Sequence, residues 1–180
     1  MELSQDQAGS RVVQHKIETS TADRDAIFDA IEDNAVRLSN DVFANYVVQK
    51  LFEFGTMWQK SQLIKQLTGS FVKLSLHMYG CRVVQKAIEF VDDIDKRTIF
   101  SEIEDDVIEC IQDQNGNHVI QKCVEKGDAR IIDAIISAFK GRVLDFSQHP
   151  YGCRVIQRIL EKIPTEKSRP LLQEILPYTL

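Results

Sequence analysis

The chain is short of structure breakers. Its 180 residues include four prolines and eight glycines, too few for a long low-complexity linker. No apolar run approaches the ~18 residues of a membrane span, and the opening MELSQDQAGS lacks both the basic and the apolar part of a secretory signal. The four cysteines form no CxxC pair and the four histidines add no ligand spacing, which argues against a zinc site. Catalytic groupings are missing too. His and Asp are scattered, with no triad-like or paired-carboxylate arrangement and no phosphate-binding Gly loop. The expectation is a non-enzymatic protein without cofactor, soluble and cytoplasmic. Basic excess is also lacking: 22 Lys and Arg stand against 27 Asp and Glu, a net charge of −5. On its face that argues against a nucleic-acid partner, because phosphate contacts leave a basic footprint.

Hydrophobic residues make up 43% of the chain, enough for a real core. A five-residue motif organises them. It occurs as SRVVQ (Ser10 to Gln14), NYVVQ (Asn45 to Gln49), CRVVQ (Cys81 to Gln85), NHVIQ (Asn117 to Gln121) and CRVIQ (Cys153 to Gln157). The glutamines step by 35 and then three times by 36. Self-similarity at such a period is the mark of a helical solenoid. Approximate units run over 1–33, 34–69, 70–105, 106–140 and 141–176.

Each unit divides into three helical pieces. A short first one precedes the motif, as in Phe71 to Leu76 and Val143 to Ser147. The second carries the motif and runs on to about Lys16, Phe54, Phe90, Lys126 and Glu161. In it Val47, Val48, Leu51 and Phe52 form an apolar stripe of helical period. The third is seen in Met57 to Gly69 and Ala129 to Gly141, where Ile131, Ile132, Ile135, Ile136 and Phe139 share a face. Gly69 and Gly141 are expected to close those helices. Pro164 opens the last piece, and Pro170 inside it implies a late start or a kink. A small residue before each variable pair (Gly9, Ala44, Gly80, Gly116, Gly152) fits a helix start or a close backbone approach. Met1 falls within the short first helix of unit one, LPYTL stands where a sixth unit would begin, and no polar end unit is visible. The expectation is a piece of a longer array with uncovered apolar ends prone to end-to-end association.

Charge is segregated along this repeat. Much acid lies in Asp23 to Asp33 and Asp92 to Asp106. The motifs and the two residues after each carry Arg11, His15, Lys16, Lys50, Arg82, Lys86, His118, Lys122, Arg154 and Arg158 with no acid. One basic and one acidic face are therefore expected. Cys110 and Cys123 read as small buried hydrophobes. Cys81 and Cys153 occupy one motif position two repeats apart, beyond the ~7 Å reach of a disulfide.

On a helix the first motif residue and the Gln share a face, with the second residue beside them. Those second residues, Arg11, Tyr46, Arg82, His118 and Arg154, are all planar groups able to stack on a base. Gln14, Gln49, Gln85, Gln121 and Gln157 each offer a donor and an acceptor to a base edge. Ser10, Asn45, Cys81, Asn117 and Cys153 would tune the choice, Asn by a second donor–acceptor pair, Ser or Cys by leaving room. The basic residues after the Gln (Lys16, Lys50, Lys86, Lys122, Arg158) are either phosphate contacts or solvated surface. Stacking contributes about 1–3 kcal/mol per base, so several units could hold single-stranded nucleic acid despite net acidity.

The windows YGCRVVQK, NGNHVIQK, ANYVVQK and YGCRVIQR resemble repeats of the Pumilio (PUF) family of RNA-binding proteins. The order of variable pairs resembles the first five of the eight repeats of animal Pumilio. The resemblance implies an all-α solenoid, a curved right-handed superhelix of three-helix repeats whose motif helices each read one base. In the family, Asn with Gln reads uracil, and Cys or Ser with Gln reads adenine. RNA lies antiparallel to the chain, so the implied element is 5′-AUAUA-3′, read from Cys153/Gln157 back to Ser10/Gln14. It also implies mRNA 3′ untranslated regions as targets, repression of translation and of mRNA stability as the outcome, and translational repressors and a deadenylase complex as partners. Two alternatives stand beside it: a protein-interaction solenoid recruiting effectors through its convex face, and a divergent ribosome-assembly relative, whose reading positions should be degenerate.

Overall fold

A computed structural model describes residues 2–178. Among them every regular element is helical. The first repeat opens on a 3-10 turn, Glu2–Gln5, followed by α1 (Gln7–Thr19) and α2 (Thr21–Ile31). The second holds α3 (Ala35–Ser39), α4 (Ala44–Phe54) and α5 (Met57–Leu67). The third holds α6 (Phe71–Leu76), α7 (Gly80–Phe90) and α8 (Asp93–Ile103). The fourth holds α9 (Val107–Gln112), α10 (Gly116–Lys126) and α11 (Ala129–Phe139). The fifth holds α12 (Val143–Gln148), α13 (Gly152–Lys162) and α14 (Thr165–Ile175).

The motif helices pack in the order α1, α4, α7, α10, α13, each against the next. Their apolar stripe is covered from both sides. Val47, Val48, Leu51 and Phe52 are wholly buried, as are Val83, Val84 and Ala87 one repeat on. Ile131, Ile135, Ile136 and Phe139 bring the third helix into the same continuous core, with Ile132 half-buried at its edge. The stack is an α-solenoid, and the shared core explains why no single repeat could stand alone. Met1 lies outside the described residues. The first repeat's opening turn is 3-10, and α1 runs three residues beyond the expected Lys16 to Thr19.

Helix ends follow local chemistry. Thr56 and Gln59 close a reciprocal capping box on α5, and Asp92 and Asp128 cap α8 and α11 through the third amide of each helix. Gly69 and Gly141 close α5 and α11 with φ of +83° and +72°, where a side chain would be strained. Each is then tied to the next repeat: the Gly69 amide donates to Glu102 at 2.6 Å and that of Gly141 to Glu174 at 3.0 Å. In repeats one and three a 3-10 turn of acidic residues, Glu32–Asn34 and Glu104–Asp106, takes the place of that glycine exit. Pro164 caps α14, which starts at Thr165 and continues through Pro170, so the late start does not occur.

The glycine before the variable pair in repeats one, three, four and five is a close-approach site. A Cβ on Gly116 would lie 2.7 Å from the carbonyl oxygen of Cys110, at the end of the short helix before it. The first and motif helices of one repeat meet at that point. The four cysteines are free thiols. Burial pushes both Cys110 and Cys123 up to about 12, so they behave as small core hydrophobes, as expected.

Candidate nucleic-acid interface

A single acceptor organises the start of each motif helix. Asp41 Oδ1 accepts the amides of Phe43 and Ala44 at 2.9 and 2.8 Å, and Asp113 Oδ1 accepts those of Asn115 and Gly116, both at 2.8 Å. In repeats three and five a histidine does the same. His77 Nδ1 takes the amides of Tyr79 and Gly80, and His149 Nδ1 those of Tyr151 and Gly152. Asp6 holds the Gly9 amide at 2.7 Å. These free amides of a helix start must be satisfied, and in repeats two to five one turn residue satisfies two at once.

The next turn presents the motif. Arg11, Tyr46, Arg82, His118 and Arg154 are all exposed, and the five glutamines lie on the same open surface, exposed or half-covered. Two recesses between adjacent repeats bring the expected residues together. One, of about 390 Å3, is lined by Ser10, Arg11, Gln14 and Tyr46, with Val42, Phe43 and Tyr79 as further walls. The other, of about 400 Å3, is lined by His118, Gln121, Arg154 and Gln157, with Arg158 and Glu161 beside them. Each recess thus sits between two planar groups, with one motif amide, Gln14, in the first and two, Gln121 and Gln157, in the second, a shape suited to a flat ring.

The motif asparagines do not present the open donor–acceptor pair expected of them. Asn45 and Asn117 are wholly buried. Asn45 Nδ2 donates to the carbonyls of Asp41 and Val42 at 2.8 and 3.0 Å, and Asn117 Nδ2 to those of Asp113 and Gln114 at the same distances. Each Asn oxygen in turn accepts from Gln Nε2, at 2.9 Å from Gln49 and 3.0 Å from Gln121. Both amide hydrogens of each Asn are spent on the backbone, so it offers no open second donor–acceptor pair. It orients the Gln instead. In repeat three Gln85 Nε2 donates to the Cys81 carbonyl at 3.1 Å. The Cys81 thiol is buried against Met78 and that of Cys153 is partly covered near Pro150. Ser10 Oγ donates to the Gln7 carbonyl at 3.2 Å.

The expected acid-free strip ends one turn too soon. Four residues after every motif Gln stands a glutamate: Glu18, Glu53, Glu89, Glu125 and Glu161. Lys50 pairs with Glu18 and Glu53, and Lys86 lies 3.8 Å from Glu53 and 4.0 Å from Glu89. Lys122 meets Glu125 at 2.9 Å, while Arg158 lies 3.3 Å from both Glu125 and Glu161. Lys16 is 3.5 Å from Asp23. The basic residues beside the motif are therefore engaged with acid, and the motif surface is mixed in sign. The Glu18 hydrogen bond holds Lys50 above the usual lysine range against the opposing effect of burial. Burial pushes Glu125 up, but Lys122 and Arg158 outweigh it and hold the carboxyl low. His118 is held below the usual histidine range by burial first, then by Arg154 and Arg82.

A model of the Pumilio-family RNA binding repeat matches five times, over residues 1–32, 34–68, 70–104, 106–138 and 142–176. The chain belongs to the Pumilio family. Over 70 residues it is 50% identical to Pumilio homolog 1 of Xenopus laevis, a match covering 38% of this chain and 6% of that protein. Over 69 residues it is 46% identical to the mRNA-binding protein puf3 of Schizosaccharomyces pombe, covering 37% and 9%. The same fold is found in the Puf3 RNA binding domain bound to a Cox17 RNA 3′ UTR recognition sequence, with a TM-score of 0.92 and 45% identity over 98% of this chain and 53% of that one. It recurs in PUF-8 in complex with PBE-RNA, with a TM-score of 0.93 and 34% identity over 98% and 53%. The Pumilio chain described here thus spans about half the length of these solved domains.

Among the described residues, no cluster of three or more His, Cys, Asp or Glu could hold a metal ion, and no helix is long and apolar enough to cross a membrane.

Proposed function

We propose that this chain binds single-stranded RNA sequence-specifically, one base per repeat, with 5′-AUAUA-3′ as its element. The observation that carries the reading is the pair of recesses between neighbouring repeats, each lined by two planar side chains of the motif and at least one motif glutamine amide. A base entering such a recess stacks between planar groups and meets a Gln edge.

Orientation supplies the choice of base. In repeats two and four the Asn oxygen holds one Gln N–H, leaving Gln Oε1 and a second N–H for the ring. That pair suits a uracil edge, with its N3–H donor beside a carbonyl acceptor. In repeats one, three and five the smaller Ser or Cys leaves more room, and the Gln amide meets the N6–H donor and N1 acceptor of adenine. Cys153/Gln157 would take the 5′ base and Ser10/Gln14 the 3′ base. The proposed setting is cytoplasmic mRNA 3′ untranslated regions, with repression through translational repressors and deadenylation, in keeping with the 3′ UTR sequences bound by the similar solved domains.

The test is binding of AUAUA RNA against a variant in which one central U is replaced by G, at fixed salt. The reading expects weaker binding of the G-containing strand, by about 1–3 kcal/mol. Equal affinities would overturn the base assignment.

A further inference from the structure

The turn that opens a motif helix is held in two different ways. In repeats two and four the buried Asn donates two bonds, of 2.8 and 3.0 Å, to carbonyls of the turn, and its oxygen steadies the Gln. In repeats three and five a thiol stands in its place. Cys81 and Cys153 reach one turn carbonyl each, at 3.7 and 3.6 Å, and a thiol is a weak donor. Holding the turn falls there to another residue.

That residue is a histidine four positions before the Cys. His77 Nδ1 lies 3.2 Å from the amides of both Tyr79 and Gly80, and His149 Nδ1 lies 3.2 Å from those of Tyr151 and Gly152. Each ring also packs on that tyrosine, with centroids 5.7 Å apart for His77 and Tyr79 and 5.8 Å for His149 and Tyr151. Two donors facing one nitrogen fix the tautomer: Nδ1 is bare and the hydrogen sits on Nε2. The histidine carbonyl accepts the Cys amide as well, at 2.9 Å in repeat three and 3.1 Å in repeat five.

In repeat three the line runs on to the reading edge. With no Asn oxygen to hold it, Gln85 Nε2 donates to the Cys81 carbonyl at 3.1 Å. The Gln thus hangs on backbone whose leading end His77 holds. We propose that His77 is a positioning residue for base reading in repeat three, setting Gln85 through the first turn of α7. This rests on the reading above, in which Cys81 and Gln85 take the third base of 5′-AUAUA-3′. His149 holds the first turn of α13 in the same way.

The test compares His77→Ala with His77→Asp, aspartate being the acceptor that repeats two and four use. Binding of 5′-AUAUA-3′ is measured beside 5′-AUCUA-3′ and 5′-AUACA-3′, changed at the third and fourth base. His77→Ala should weaken binding of the first strand about three- to tenfold and shrink discrimination at the third base, leaving the fourth as it was. His77→Asp should restore both. A folded His77→Ala that binds like wild type, or that loses discrimination equally at both bases, would overturn the proposal.

NMR of the free chain separates this from the base reading. Wild-type His77 should show a bare Nδ1 and a protonated Nε2. The side-chain amide signals of Gln85 should move in His77→Ala and return in His77→Asp. A proton on Nδ1, or Gln85 signals unmoved by His77→Ala, would overturn the proposal even if the bases are read. A wild type indifferent to the third base would instead remove the base reading, and the Gln85 signals would still decide the role of His77.

Discussion

Gln121 donates its Nε2 hydrogen to Asn117 Oδ1 at 3.0 Å, and Asn117 has no exposed surface of its own. Gln49 and Asn45 repeat the relationship at 2.9 Å. The pair divides the work: the buried Asn bonds two carbonyls of the turn before it and fixes the Gln, and the Gln faces outward. Asn117→Ala removes bonds to two carbonyls and is expected to cost about 1–3 kcal/mol in urea unfolding. Asn117→Asp keeps the shape but turns an acceptor toward those carbonyls, and should cost at least as much. Unchanged stability of both would show that the capping bonds do not hold.

Two glycines are expected to resist alanine for different reasons. At Gly69 a Cβ meets nothing within 4 Å, but φ is +83°, so Gly69→Ala should cost about 1–2 kcal/mol through backbone strain alone. At Gly116 the Cβ would sit 2.7 Å from the Cys110 carbonyl oxygen, so Gly116→Ala must part the first and motif helices. The cost there is about 1–3 kcal/mol, and it should shift amide signals around Cys110 as well as the unfolding midpoint.

Glu53 lies between Lys50 and Lys86, one repeat apart. Glu53→Gln removes the acid the two cations share, leaving Lys50 with Glu18 and Lys86 with Glu89, and should tighten RNA binding at low salt. The slope of log K against log salt should also steepen, by about 0.7 per phosphate gained on a single strand. Anisotropy titrations at several salt concentrations decide it. An unchanged slope would mean the lysines stay out of reach of the RNA backbone.

His118 gives a pH dependence of known sign. Burial, with Arg154 and Arg82 beside it, lowers its folded-state value, so the unfolded chain takes the proton first. The stabilising contribution is complete above about pH 6.5 and is lost as pH falls below that toward the folded value. The expected NMR titration midpoint lies below 6.5, and Arg82→Ala or Arg154→Ala should raise it. A midpoint above 6.5 would contradict the placement of those charges.

Much of the fold was legible because the repeat states it five times over. The spacing of the motif glutamines sets the unit, and the stripe from Val47 to Phe52 and the short helix Phe71–Leu76 fall on the residues their period implies. The glycine exits at Gly69 and Gly141 were readable for the same reason, since only glycine takes that φ freely. The glutamate rungs were visible in the sequence but were missed. They stand one turn beyond the motif Gln, on the same helix face, just past the basic residues that follow it. The burial of Asn45 and Asn117 could not be read that way. A motif Asn looks equally able to face a ligand or its own backbone, and only the turn before it, led by Asp41 or Asp113, decides.

The central claim is that repeat four reads one base through residues 117 and 121. Asn117→Ser with Gln121→Glu tests it most directly, because Ser10 shows that a serine here still bonds the carbonyl three residues back. In the family pattern Ser with Glu selects guanine, so binding of 5′-AUAUA-3′ and 5′-AGAUA-3′ by both proteins should show preference moving from U to G at the second base alone. A folded double variant that keeps the wild-type preference would contradict the account.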